Sequence, residues 1–350
     1  MHATARGATT ARAGRRGLPA LVTAATLVLL GGCGGDQGGS SDDDVSAVAS
    51  PSAGAPAPEA EDGNPVIDDD FPDPDLLEVD GVYYAYATNG NNRNVRVERS
   101  TNLVTWEELP DALPTLPSFV IPGKTWAPEV TQLGPGQFAM YYTATNFRPT
   151  FQCVGVALST TPEGPFEPVG DAMLVCPPEE GGAIDASTFL DTDGTRYLLW
   201  KNDGNCCGLE TWLQIAPLSP DGTALTAPPT RLVDQDLEWE GNLVEAPTLV
   251  ERDGTYVLLY SAGDYGGPGY TIGYATAPAL LGPYSKNPEP LLSTTMTDDR
   301  YVGPGGQDVI VGPDGEDRLV FHSWEGGQTY RGMNVLPLGW EDGVPVVELD

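Results

Sequence analysis

The chain has 350 residues and carries 50 Asp and Glu against 17 Lys and Arg, a formal net charge of −33. This charge repels phosphate groups, so charge-driven nucleic-acid binding is nearly excluded and a polybasic membrane patch is disfavoured. Hydrophobic residues make up 40% of the chain and charged residues only 19%, so it is not generically disordered. With two histidines in all, His2 and His322, multi-histidine metal sites and Ser-His catalysis are nearly excluded as well.

Residues 1–32 have the pattern of an export signal. A basic start with four arginines precedes an apolar run from Leu18 to Leu30, which is shorter than the roughly 20 residues of a membrane span. The run ends in Leu30-Gly31-Gly32-Cys33, which looks like a bacterial lipobox and predicts lipidation of Cys33. A plain cleaved signal is the alternative, and the pair Arg15-Arg16 leaves general and twin-arginine export open.

Residues 33–62 are predicted to be the lipidated cysteine and a flexible tether, because they hold Gly, Ser, Ala, Pro and Asp and no aromatic residue. The folded domain is therefore predicted to span residues 63–350. The expected location is the extracellular face of the cell membrane, as a lipoprotein, or the medium after secretion. Contact with the membrane is expected through the lipid anchor alone.

Four further cysteines lie in the folded part, and export permits disulfides there. Cys153 and Cys176 are the preferred pair, because each ends a strand-like run of the same segment. Cys206 and Cys207 are adjacent and lack the spacer of typical zinc sites, so zinc is the weaker interpretation. The full connectivity stays open at this point.

From residue 63 onward, short β-branched and aromatic runs alternate with Gly, Pro and Asp turns, with almost no helical periodicity. One pattern recurs five times: an inner run, a glycine turn and an aromatic-rich run. The turn glycines stand at positions 81, 136, 194, 254 and 315, so the steps are 55, 58, 60 and 61 residues. The pattern predicts an all-β fold, a five-bladed β-propeller with four-stranded blades around a central channel. A β-sandwich is the alternative.

Acidic residues recur at the blade spacing near the start of four of the five inner runs, and a glutamine stands at the fifth. Asp73, Glu129, Asp185, Glu245 and Gln307 are 56, 56, 60 and 62 residues apart, and the acids are framed by Phe, Trp, Ile and Pro. Converging carboxylates in a partly apolar pocket should have pKa values that split apart. One protonated and one ionised carboxyl group suit glycoside hydrolysis. A Ca²⁺ site on the channel axis is the structural alternative.

Four motifs resemble glycoside hydrolase family 43 when they are taken together, in order and one blade apart, over residues 63–350. They are Asn64-Pro65-Val66 with Phe71-Pro72-Asp73-Pro74, Trp126-Ala127-Pro128-Glu129, Ile184-Asp185-Ala186-Ser187-Thr188-Phe189, and Val244-Glu245-Ala246-Pro247. The resemblance implies a five-bladed propeller, an inverting mechanism, and substrates bearing α-L-arabinofuranosyl or β-D-xylosyl units.

The resemblance also implies roles for three acids. Asp73 would be the general base that activates water, and Glu245 the general acid that protonates the leaving oxygen. Asp185 would orient Glu245 and keep it protonated. For each of them, a solvated or turn-capping carboxylate is the structural alternative.

Four softer candidates for substrate binding are Trp126, Glu129, Phe71 and Arg331. Trp126 and Phe71 could stack on a sugar or equally pack between blades. Arg331 resembles an arginine of the family that reaches the sugar, with a surface arginine as the alternative. Glu129 is as readily explained by a structural role as by a functional one.

A metal in the channel is in doubt. Many family members have a histidine after Gly-Pro-Gly in the last blade, whereas this chain has Gly303-Pro304-Gly305-Gly306-Gln307. His322 and Gln307 are the substitute candidates for an axial ligand of Ca²⁺, and a core histidine is the preferred interpretation of His322. No cofactor is expected to be required.

The sequence therefore predicts an exported glycosidase, acting as a monomer on arabinose- or xylose-containing polysaccharide. A non-catalytic sugar-binding lipoprotein is the alternative of another class, and a fructan-type propeller glycosidase is disfavoured because its motifs are absent. Arabinose against xylose, and exo against endo attack, depend on the loops at 110–125, 201–212 and 261–271, whose shapes do not follow from the sequence.

Overall fold

Five antiparallel sheets follow one another along residues 63–349, the part of the chain that the computed structural model describes. Within each sheet, the first four strands pair in chain order and form a meander. The sheets are the blades of a five-bladed β-propeller, which confirms the predicted all-β fold class. The predicted signal, tether and Cys33 lie outside the described residues.

The strands are numbered in chain order. Blade 1 contains β1 (Asp75–Val79), β2 (Val82–Ala87), β3 (Arg96–Ser100) and β4 (Glu107–Glu108). Blade 2 contains β5 (Val120–Gly134), β6 (Gln137–Asn146), β7 (Gln152–Ser159) and β8 (Glu167–Pro168). Blade 3 contains β9 (Ala183–Leu190), β10 (Arg196–Asn202), β11 (Trp212–Pro217) and β12 (Thr230–Asp234).

Blade 4 contains β13 (Val244–Arg252), β14 (Thr255–Ala262), β15 (Thr271–Ala277), β16 (Ser285–Lys286) and β17 (Leu292–Ser293). Blade 5 contains β18 (Val302–Val311), β19 (Asp317–Glu325), β20 (Tyr330–Glu341) and β21 (Val344–Val347). Both β16 and β17 pair with β15, so blade 4 has five strands where four were predicted. Short 3₁₀ helices in loops cover Pro178–Glu180, Gly204–Cys207, Glu238–Glu240 and Thr294–Thr297.

The predicted turn glycines join the first strand of every blade to the second. Gly81, Gly136, Gly194, Gly254 and Gly315 all have positive φ, from 63° to 88°. Glycine adopts this conformation without the steric cost that a side chain would add. This requirement explains why the glycines recur at the blade period.

Each pair of successive blades shares one hydrophobic core. Full burial of a large apolar side chain stabilises a fold by about 1.5–3 kcal/mol, so these interfaces hold the blades together. The fifth core packs Phe71 and Tyr83 from the start of the domain against Val320 and Met333 of blade 5. The ring is therefore closed between its first and last blades.

Backbone pairing reinforces this closure. The amide of Val66 donates to the carbonyl of Met333 at 2.8 Å, and the amide of Val335 donates to Oδ1 of Asn64 at 2.9 Å. The segment that carries the first motif is thus fixed onto β20. As a result, the start of the domain, which leads to Asp73, is fixed against the last blade.

The structure pairs Cys153 with Cys176, as predicted, and joins Cys206 to the adjacent Cys207. Zinc coordination by the second pair is therefore not the arrangement found. Over residues 63–349, no helix is long and apolar enough to cross a membrane.

Candidate active site

One residue near the start of every blade has a left-handed backbone. These residues are Asp73 (φ 54°), Ala127 (φ 40°), Asp185 (φ 54°), Ala246 (φ 49°) and Gly306 (φ 57°). In blades 2 to 5, the register between the first two strands shifts at this residue. Such a bulge interrupts the alternation of side chains, so residues before and after it reach different cavities.

This geometry corrects the predicted register of the acids. Glu245 precedes the bulge residue of blade 4 by one position, Gln307 follows that of blade 5 by one, and Glu129 follows that of blade 2 by two. Only Asp73 and Asp185 occupy equivalent positions, so the predicted equivalence was wrong for the other three. Loops of different length make the repeat steps unequal, and repeat spacing therefore cannot align residues to a single position.

The larger cavity, of about 760 Å³, brings together the three acids that sequence motifs assigned to catalysis. Asp73, Asp185 and Glu245 all line it, and so do Trp126 and Arg331. Blades 1, 2, 3, 4 and 5 each contribute one of these five residues. A cavity of this size, lined by residues of all five blades, is suited to a small ligand.

Asp73 is held as an ionised carboxylate. Its Oδ2 accepts a hydrogen bond from the hydroxyl of Thr88 at 2.7 Å, and Nη1 of Arg331 lies 3.9 Å from its Oδ1. Burial alone would raise the pKa of Asp73. Electrostatic interactions with Arg331 and His322, together with the hydrogen bond from Thr88, bring this pKa below its ordinary value. Because burial lowers the pKa of His322 to about 3, this ring is neutral near pH 7, and Arg331 and Thr88 carry the effect.

The pKa of Asp185 is shifted in the opposite direction. Burial, followed by the charge of Glu245, raises the pKa of Asp185 well above its ordinary value. Two buried carboxylates this close resist being ionised together. Oδ2 of Asp185 also accepts a hydrogen bond from the amide of Ala246 at 3.1 Å, which fixes the backbone directly after Glu245.

Glu245 is nearly buried and has two partners that the motifs did not indicate. The hydroxyl of Tyr270 donates to Oε1 at 2.9 Å, and Nζ of Lys201 lies 3.1 Å from Oε2. Lys201 lies in β10 and Tyr270 directly precedes β15, so tertiary packing brings them to the acid. One signal was available: Lys201 follows the apolar run Tyr197-Leu198-Leu199-Trp200, where a charged residue requires a partner.

The structure places some of the remaining candidates for substrate binding in the larger cavity and one of them in a hydrophobic core. Trp126 is half-buried and lines the larger cavity, and Arg331 lies there with its guanidinium 5.5 Å from the Tyr265 ring. Phe71 is fully buried in the fifth core, with the guanidinium of Arg96 5.2 Å from its ring. Packing, the alternative interpretation, therefore describes Phe71.

Glu129 lies in a second, smaller cavity of about 40 Å³, beside the larger one. Three consecutive residues of each blade line it, beginning with the bulge residue. The innermost ring consists of Asp75, Glu129, Ser187, Thr248 and Asp308. Glu129 accepts a hydrogen bond from the amide of Thr188 at 2.9 Å and does not line the larger cavity.

The three acids of this ring all have raised pKa values. Burial, followed by the charges of Glu129 and Asp308, raises the pKa of Asp75 well above its ordinary value. Burial also raises the pKa of Glu129, and that of Asp308 to about 7. A raised pKa contributes stability that is present below the ordinary carboxyl range and is lost as the pH rises through the raised value.

Asp75→Asn is expected to reduce this loss of stability. An asparagine can still accept from the Val130 amide, which lies 2.8 Å from Oδ2, while its NH₂ donates to Glu129. Between pH 5 and pH 8 the Tm of the variant should fall about 2–4 °C less than that of the wild type. Thermal unfolding across this range measures it, with exposed Asp80→Asn as the control. Parallel curves for wild type and Asp75→Asn would contradict the interpretation.

Gly306 sets the space around Asp73. A Cβ atom there would lie 2.7 Å from Nδ1 of His322 and 2.9 Å from Oδ1 of Asp73. Gly306→Ala is therefore expected to displace the carboxylate and lower kcat/KM by about 100-fold. Gly315→Ala is the matched control, because Gly315 also has positive φ but no atom within 4 Å of the added Cβ. Equal kcat/KM values for the two variants would show that contact with Asp73 is unimportant.

The two candidates for a metal ligand already make hydrogen bonds within the protein. Nε2 of Gln307 donates to the carbonyl of Ala246 at 2.6 Å, and its Oε1 accepts from Ser261 at 2.7 Å. Nδ1 of His322 accepts from the amide of Asp73 at 3.0 Å, so the neutral ring carries its proton on Nε2. Among residues 63–349 no group of three or more His, Cys, Asp or Glu residues is arranged to hold a metal ion.

Comparison with known proteins gives a consistent set of relatives. A family model described as glycosyl hydrolases family 43 matches residues 63–345. A β-D-galactofuranosidase of Aspergillus niger is 28% identical over 274 residues, covering 71% of this chain and 75% of the relative. An extracellular endo-α-(1→5)-L-arabinanase of Bacillus subtilis is 26% identical over 293 residues, covering 78% and 86%.

Solved structures agree with these matches. A thermostable family-43 glycoside hydrolase has a TM-score of 0.73 and 32% identity, covering 82% of this chain and 96% of that chain. An endo-1,4-β-xylanase from Bacteroides thetaiotaomicron has a TM-score of 0.70 and 28% identity, covering 81% and 95%.

Proposed function

Since the chain belongs to glycosyl hydrolases family 43 and is a glycosidase acting on plant polysaccharide, we propose that it cleaves α-L-arabinofuranosyl or β-D-xylosyl linkages with inversion. The observation that supports this most is the convergence of Asp73 and Glu245 on one cavity from blades 1 and 4. Their surroundings differ, which is what a general base and a general acid require.

Asp73 is the proposed general base. Its lowered pKa keeps it ionised, and Thr88 occupies Oδ2, which leaves Oδ1 to accept a proton from water. The activated water attacks the anomeric carbon on the face opposite the leaving group. Removal of the water proton by Asp73 makes the oxygen a stronger nucleophile.

Glu245 is the proposed general acid. Its carboxyl proton passes to the glycosidic oxygen while the bond from that oxygen to the anomeric carbon breaks. Asp185 supports it by accepting a hydrogen bond from the Ala246 amide, which fixes the backbone directly after Glu245. Asp185 is therefore proposed as the residue that positions the acid.

Substrate recognition is proposed to combine stacking with charge. The half-buried ring of Trp126 and the exposed ring of Tyr265 both line the cavity and present the flat apolar surfaces that sugar rings favour. Arg331 lies between Asp73 and Tyr265, where it can donate to a sugar hydroxyl. The relatives are named for galactofuranosides, for arabinan and for xylan, which supports both arabinofuranosyl and xylosyl units as substrates.

The substrate is tested by incubating the purified protein with linear arabinan, arabinoxylan and xylan, and with p-nitrophenyl α-L-arabinofuranoside, β-D-xyloside and β-D-galactofuranoside. Release of arabinose or xylose is the expected result. Release from the galactofuranoside alone would show that the protein has the specificity for which the Aspergillus relative is named. Binding without release would favour the alternative, a non-catalytic sugar-binding lipoprotein.

Export belongs to the same proposal. Residues 1–32 would direct the chain out of the cell and Cys33 would carry the lipid. The arabinanase relative of Bacillus subtilis is named extracellular, which supports secretion in general. An enzyme for plant polysaccharide must meet a substrate that is too large to enter the cell.

A further inference from the structure

Lys201 has a position that packing alone does not explain. Its side chain is only 1% exposed, and its Nζ lies 3.1 Å from Oε2 of Glu245 and 2.7 Å from Oδ1 of Asn205. Burying an ammonium group is costly unless it is paired, and an apolar residue at the same place often stabilises a protein equally well. A charge retained here suggests a chemical role at the acid.

The two oxygens of Glu245 meet different partners. Lys201 can only donate to Oε2. The hydroxyl of Tyr270 donates to Oε1 at 2.9 Å when that oxygen is unprotonated, and by rotating it can accept instead when Oε1 carries the proton. A proton on Oε2 pointing at the ammonium group would face a donor. The arrangement therefore accommodates a carboxyl proton on Oε1 and a carboxylate lone pair on Oε2.

We propose that Lys201 is a positioning residue that keeps the transferable proton of Glu245 on Oε1 and stabilises the carboxylate left behind. The proposal rests on the proposed role of Glu245 as the general acid. In the step, the O–H bond at Oε1 breaks and a new one forms on the leaving oxygen. That oxygen also takes the electron pair of the broken glycosidic bond, and Glu245 ends as an anion beside the ammonium group.

The other charged groups around Glu245 explain why a cation is needed. Asp185 and Asp203 face it from blade 3 and Tyr270 from blade 4, while Asp73 of blade 1 and Arg331 of blade 5 line the same cavity. Burial raises the pKa of Asp203 to about 6, while Lys201 lowers it. Against these acids, Lys201 is the cation in contact with Glu245, so it favours the ionised form of the acid after proton transfer.

The test compares Lys201→Met, which removes the charge at similar length, with Lys201→Arg, which keeps it. We expect the Met variant to lower kcat/KM on an arabino-oligosaccharide by about 10- to 100-fold. On 2,4-dinitrophenyl α-L-arabinofuranoside, whose leaving group needs no proton, the loss should be much smaller. The alkaline limb of the pH profile should move upward by about one pH unit, because the charge that favours ionisation is gone. In Lys201→Arg, which keeps the charge, the alkaline limb should stay at its wild-type position.

Two further variants keep the test decisive. Lys201→Gln removes the charge but retains a donor, so it should move the limb even if the Met variant fails to fold. Lys286→Met is the matched control: Lys286 also pairs with a buried glutamate, Glu240, at 2.7 Å, but it does not line the larger cavity. It should lower Tm without moving the alkaline limb.

Equal losses on both substrates with an unmoved limb would overturn the proposal, because a purely structural role predicts that result. Wild-type protein that cleaves neither glycoside would instead refute the proposed function, and the role of Lys201 with it. Wild-type cleavage combined with an unmoved limb in the Met and Gln variants refutes the role of Lys201 alone.

Discussion

Glu245→Gln is expected to lower kcat/KM on an arabino-oligosaccharide by roughly 10²–10⁴-fold, the usual contribution of a general acid. Glutamine is close in shape: its amide oxygen can accept from Lys201 while its NH₂ donates to the hydroxyl oxygen of Tyr270, so the cavity should keep its form. The loss should shrink on 2,4-dinitrophenyl α-L-arabinofuranoside, because that leaving group departs without a proton. Initial rates on both substrates measure the difference.

Glu289→Gln is the control for this substitution, because Glu289 is an exposed glutamate that lies outside the larger cavity. It should behave as the wild type on both substrates. If Glu245→Gln retained wild-type activity on the oligosaccharide, the proton would have to come from another group. A loss of equal size on both substrates would likewise contradict a role in protonating the leaving group.

Asp73→Asn should also lower kcat/KM by roughly 10²–10⁴-fold, but by a similar factor on both substrates. The attack of water is required whatever the leaving group, and the amide cannot take its proton. Because the pKa of Asp73 lies below its ordinary value, the wild type should keep its activity to a lower pH than an ordinary aspartate would allow, and lose it as the base becomes protonated. Profiles of kcat/KM against pH test both expectations.

Asp253→Asn is the matched control, since Asp253 has the same φ of 54° as Asp73 but is exposed in a hairpin of blade 4. A backbone effect of the asparagine would appear in both variants, whereas the loss of the base appears only at position 73. Retention of more than about a tenth of the activity by Asp73→Asn would exclude Asp73 as the base.

The propeller could be predicted because its repeat has a local cause. The hairpin glycines need positive φ in every blade, and the strands after them are buried and therefore aromatic or aliphatic. The number of blades follows from counting these turns. The extra strand Leu292–Ser293 could not be foreseen, because it is two residues long and depends on pairing with β15.

The candidate site was predictable where its residues lie in one short segment. Asp73 and Asp185 occupy the bulge positions of their blades, and their apolar frames are visible in the sequence. Glu129 was placed with them because spacing cannot resolve a shift of two residues, which moves a side chain from one cavity to the other. Lys201 and Tyr270 reach Glu245 only through the packing of strands that are distant in the chain.

The most direct test of the proposed acid–base pair is the stereochemistry of the first product. Proton NMR, recorded during the first minutes of hydrolysis of an α-L-arabinofuranoside, distinguishes the anomers before mutarotation mixes them. Water activated by Asp73 on the face opposite Glu245 predicts β-L-arabinofuranose as the first product. If the α anomer appeared first, the reaction would proceed with retention, and the roles proposed for Asp73 and Glu245 would be contradicted.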